Sequence, residues 1–133
     1  MDLEGWIRRY GMDNCVSADE VLTYLKAPTY ENDLFDISSI LNNEYLVLHE
    51  ILEVCCLKRK GIEINERTIL DNREDVYSCH LEAMEGEMEH ALRKGDEAWV
   101  ERRVRDLRSY LDDPYLPEGL RSRVLELIKR FGD

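Results

Sequence analysis

The chain has 133 residues, enough for one domain with a real core. Charged residues make up 35% and apolar residues 44%, which excludes a disordered, collagen-like or disulfide-dense mini-protein class. The 29 acidic and 18 basic side chains leave a net charge of −11, so neither nucleic acid nor an anionic membrane is an expected partner.

Spacing near 3.6 residues dominates the chain and predicts an all-α fold. Leu3, Trp6, Ile7 and Tyr10 line one face of a first helix, with Asp2 as N-cap and Gly11 as its stop. Ser17 to Glu20 reads as a capping box for a second helix, which ends before Pro28. A third segment begins near Glu31 with Leu34, Ile37 and Leu41. The central helix spans about 43–60. Lys58, Arg59 and Lys60 fill its last turn, and Gly61 follows as a C-cap.

Residues 61–72 are the most ambiguous part, with 61–64 reading as a short extended stretch and 66–70 as a single helical turn. A long helix is expected over 73–94, with Tyr77, Leu81, Met84, Met88 and Leu92 as its apolar stripe and Gly95 as its stop. Asp96 caps a helix over 97–111. The last helix, 117–131, starts at Pro117. The expected architecture is a compact multihelical array of five or six helices in a single domain. Residues 1–30 also read as an arm that packs on a partner chain, with Trp6 and Tyr10 as the contact of a homodimer.

Cys15, Cys55, Cys56 and Cys79 show neither a C-x-x-C nor a zinc-finger spacing. The opening MDLEGWIRRY lacks the charged and apolar regions of a signal peptide. Reduced thiols and a cytoplasmic location are therefore expected. No apolar run approaches the roughly 20 residues a membrane span needs.

The chemically informative stretch is Tyr45 to Leu57. It is apolar nearly all round and holds three ionisable residues, His49, Glu50 and Glu53. An unpaired buried carboxylate costs several kcal/mol or more, so these groups need a cation, a donor or a proton. On the helix over 73–94, His80 and Glu87 share an edge, with small residues Ala83, Gly86 and Ala91 nearby. If the two helices pack antiparallel, His49, Glu50, Glu53, His80 and Glu87 converge as a candidate site for Zn, Mn, Fe or Mg. The competing reading is an ion-pair network in which Glu50 and Glu53 bind Arg67, Arg73 or the C-terminal arginines.

Glu87-x-x-His90 matches one of the two Glu-x-x-His motifs of carboxylate-bridged di-iron bundles. Glu50-Ile-Leu-Glu53 resembles the first metal-binding motif of the all-α nucleotide pyrophosphatases, with Glu82-Ala-Met-Glu85 in the place of the second. That resemblance implies a magnesium-dependent hydrolase in which Glu50 and Glu53 are ligands. The reading from the residues themselves is a helical interaction or oligomerisation protein with a buried His/Glu cluster able to take a divalent cation.

Overall fold

A computed structural model describes residues 2–28 and 37–132. The described residues form eight α-helices and no strand: α1 (Leu3–Arg9), α2 (Ala18–Lys26), α3 (Ile37–Leu41), α4 (Glu44–Arg59), α5 (Thr68–Asp71), α6 (Arg73–Arg93), α7 (Glu97–Tyr110) and α8 (Arg121–Gly132). The expected five or six is corrected upward because α3 and α5 are separate helices of five and four residues. Pieces that short carry almost no periodic signal. The predicted helix start at Glu31 and Leu34 lies outside the described residues.

Caps set the boundaries. Asp2 accepts from Gly5 N, and Ser17 and Glu20 close their capping box in both directions. Asn43 accepts from the backbone N–H groups of both Tyr45 and Leu46, which starts α4. Asp96 accepts from Trp99 N to start α7. Gly61 and Gly95 end α4 and α6 at φ of 80° and 77°, a conformation that penalises any Cβ. Between them, Thr68 closes the 63–68 turn by donating to Glu63 O and accepting from Asn65 N. The expected helical turn at 66–70 is found as α5, and residues 62–64 belong to no helix or strand.

Helices α4 and α6 form the central antiparallel pair. Glu44 meets Lys94, His49 meets Glu87, Cys56 meets Cys79 and Lys60 meets Asp75, so rising numbers on one match falling numbers on the other. Gly86 permits the close approach: a Cβ there would lie 2.6 Å from Leu52 Cδ1. Helices α1, α2 and α3 cover one side of α4, around Leu3, Ile7, Val21, Leu25, Ile51 and Leu57. Helices α7 and α8 cover α6, around Leu81, Met84, Met88, Val104, Leu107 and Leu127. In the α6 stripe Ala91 is buried, whereas Leu92 is 49% exposed.

The segment read as an arm lies on its own chain's core. Leu3 and Ile7 are buried, Trp6 Nε1 donates to Leu41 O, and Tyr10 Oη donates to Glu44 O. Among the described residues no helix is long and apolar enough to cross a membrane.

The expectation of reduced cysteines is overturned. Cys15 pairs with Cys55 and Cys56 with Cys79, at Cα separations of 5.8 and 5.6 Å. Sequence spacing could not reveal this, because neighbouring residues on a helix point about 100° apart and these two meet different elements. The bridges span 40 and 23 residues, and loop closure of that size stabilises by about 3–4 kcal/mol each. We therefore expect Cys15→Ser with Cys55→Ser to lower the unfolding free energy by about 3–4 kcal/mol in urea titration. A loss below about 1 kcal/mol would show that this bridge does not form in the folded protein.

Candidate metal centre

The polar cluster sits where the two apolar clusters meet, on the α4–α6 seam. Helix α4 supplies His49 and Glu53, one turn apart on its inward face. Helix α6 supplies His80 and Glu87, two turns apart. His49 Nε2, Glu53 Oε1 and His80 Nδ1 form a triangle with all three sides 3.1 Å. His49 and Glu53 are buried, and the His80 side chain is 29% exposed. Four-coordinate zinc with bonds of about 2.0–2.1 Å sets neighbouring donors roughly 3.3–3.4 Å apart. The three atoms already approach that spacing, so the group could hold a metal ion.

Each of the three residues has a partner on its far side. His49 Nδ1 lies 2.9 Å from Glu87 Oε1. His80 Nε2 lies 2.8 Å from Tyr110 Oη. Tyr24 Oη donates to Glu53 Oε2. Glu87 accepts from Trp99 Nε1 at 2.5 Å and forms an ion pair with the Arg103 guanidinium, whose Nε lies 2.9 Å from Oε2 without a hydrogen bond. Outer hydrogen bonds of this kind orient metal ligands and fix their tautomers.

Without an ion the same groups satisfy one another as charges. Burial opposes a charged His49, but hydrogen bonds to Glu53 and Glu87 outweigh it and push the imidazole up to about 10. Burial would raise the Glu53 carboxyl, yet hydrogen bonds from His49 and His80 hold it well below the usual range. Glu87 is lowered against its burial by His49, Arg103 and Trp99. Burial and the neighbouring His49 charge keep His80 below the ordinary histidine value, despite its bond to Glu53. A doubly protonated His49 then donates to Glu53 and Glu87, while neutral His80 accepts from Tyr110.

Of the five residues singled out from sequence, four meet here and Glu50 stands apart. It is half-buried, turned about 100° around α4 from His49, and has no hydrogen-bond partner among the described residues. Burial, then the charge of Glu53, push its carboxyl up to about 8. The Glu87-x-x-His90 motif splits, since His90 faces the Tyr10 and Tyr45 rings instead. The second carboxylate pair of the pyrophosphatase resemblance is engaged elsewhere: Glu82 with Arg59, and Glu85 with Arg123 and Arg130. Arg103 pairs with Glu87 and not with Glu50 or Glu53, so the expected arginine network forms on a different carboxylate.

Sequence reasoning missed Tyr24, Trp99, Arg103 and Tyr110 as members of the site. Trp99, Arg103 and Tyr110 are spaced i, i+4, i+11, which places them within about 40° on one face of α7. That mixed polar-aromatic face was the available signal. Tyr24 offered none.

Two expectations follow for the metal-free chain. Glu87→Ala leaves His49 and Arg103 buried against a void and should cost roughly 3–5 kcal/mol in chemical denaturation. Lowered Glu53 and Glu87 contribute stability above their ordinary value of 4.5 and lose it as pH falls through their folded values. Raised His49 contributes below 6.5 and loses its effect as pH rises through about 10, while raised Glu50 opposes folding from 4.5 upward. Lowered His80 and His90 cost stability as pH falls below 6.5, which opposes the slope from Glu50. Stability measured against pH should therefore be greatest between 4.5 and 6.5 and decline on both sides.

No protein-family model, curated protein or solved structure matches this chain.

Proposed function

We propose that this chain is a helical interaction protein that binds one divalent first-row transition cation through His49, Glu53 and His80. The observation that carries the reading is the completeness of the surrounding shell. Three donors sit at equal 3.1 Å spacings, and each has an outer hydrogen-bond partner of its own. Two imidazoles and one carboxylate suit zinc, iron or manganese; magnesium prefers oxygen donors alone. Binding requires His49 Nε2 and His80 Nδ1 as bare acceptors, so His49 gives up a proton as the ion enters. Its other nitrogen keeps the bond to Glu87, and His80 Nε2–H turns to donate to Tyr110.

An ion here ties the middle of α4 to the middle of α6. Three protein donors also leave coordination positions free, on a site whose most accessible member is His80.

Elemental analysis of protein purified without chelator and loaded with Zn2+ should give one equivalent of metal per chain. At a free metal concentration of 100 times Kd the ion should add about 2.7 kcal/mol of stability, removed again by chelator. His49→Ala and His80→Ala should each abolish both effects, and Glu82→Gln should leave them intact. Sub-stoichiometric metal together with an unchanged melting temperature would refute the reading.

A further inference from the structure

The Cys56–Cys79 bridge joins the same two helices that carry the metal donors. Cys56 follows Glu53 by three residues on α4, and Cys79 directly precedes His80 on α6. The bridge therefore lies one helical turn from Glu53 and one residue from His80. Its two cysteines are almost wholly enclosed, at 6% and 0% exposure. Among the described residues the ion pairs at this end of the seam are Arg59–Glu82 and Lys60–Asp75, both at the surface, which contribute little beside the apolar packing around Leu57 and Val76. Towards the opposite end the helices are held by the Glu87 network and by Glu44 with Lys94. The covalent tie thus lies beside the Glu53–His80 edge of the donor triangle, whereas His49 is held across the seam by Glu87. Cys15–Cys55 connects α4 to the 10–17 turn and does not join α4 to α6.

We propose that Cys56–Cys79 is a redox latch on the metal centre: the oxidised chain holds the cation and the reduced chain releases it. The proposal rests on the metal-binding reading above. The co-reactant is a dithiol. Its thiolate attacks Cys56 Sγ, the less enclosed sulfur, as this end of the seam opens, and Cys79 leaves as a thiolate that takes up a proton. The second dithiol sulfur then attacks the mixed disulfide and expels Cys56 as a thiolate that is protonated in turn. The dithiol becomes a disulfide, Cys56 and Cys79 become thiols, and two electrons and two protons pass to the protein. The seam then relaxes at its Cys end, Glu53 and His80 move apart, and the triangle of donors opens.

The test compares Zn2+ affinity, read by competition with a chromophoric chelator, in three forms of the full chain. These are the oxidised protein, Cys56→Ser with Cys79→Ser, and Cys15→Ser with Cys55→Ser. We expect the Cys56/Cys79 pair to weaken Zn2+ binding at least tenfold, and the Cys15/Cys55 pair to change it less than threefold. Circular dichroism checks that helix content is retained. If the Cys56/Cys79 variant loses helix, stepwise reduction of the wild-type chain by a phosphine replaces it, with zinc release and thiols at Cys56 and Cys79 followed together by alkylation and mass mapping. Zinc that stays bound after both thiols have appeared, or a Cys56/Cys79 variant that binds as tightly as the oxidised protein, overturns the latch and leaves the metal centre standing. An oxidised protein that binds no zinc at all overturns both.

Discussion

Both ring nitrogens of His49 are engaged inside the protein, and the rest of the structure is arranged around that fact. Nδ1 meets Glu87 across the seam, and Nε2 meets Glu53 on its own helix and His80 opposite. A buried imidazole with two acidic neighbours is tolerable only when every member is paired, because each lost partner exposes a desolvated charge. The demand propagates outward. Glu87 requires Trp99 and Arg103, which fixes α7 against α6. Glu53 requires Tyr24, which brings α2 onto α4. His80 requires Tyr110, at the far end of α7. Four helices are thus specified by one polar knot, and the apolar clusters fill the space on either side of it.

In the metal-free chain a protonated His49 and Arg103 balance Glu53 and Glu87. A divalent ion bound at the proposed site would take the place of the His49 proton and leave the group one charge more positive. The outer partners would be the same in both states, and of their bonds the one between His80 and Tyr110 would reverse its direction. Such a layer keeps the donors poised at a spacing that solvent alone would not maintain.

Much of this was legible from sequence. Asp2, Ser17 with Glu20, Asp96, Gly61 and Gly95 mark real helix ends, since caps depend on chemistry within a few residues. The convergence of His49, Glu53, His80 and Glu87 followed from helical spacing plus one assumption, that the two longest helices pack antiparallel. Glu50 shows where such reasoning stops: one residue of rotation separates a group inside the knot from one beside it. The aromatic and arginine members come from α2 and α7, and their arrival depends on how those helices cross α4 and α6. The same is true of the disulfides. No local pattern distinguishes two adjacent cysteines that remain thiols from two that bond to opposite neighbours. The count of helices slipped for a different reason, because α3 and α5 are helices of only five and four residues, too short to show a period.

Cys55 and Cys56 are consecutive, yet their bonds leave α4 in different directions, to the 10–17 turn and to α6. A rod fastened on two sides at one level cannot spin about its long axis. The azimuth of α4 is thereby set at its Cys end. His49 lies two turns away and is oriented instead by Glu87 and His80 across the seam.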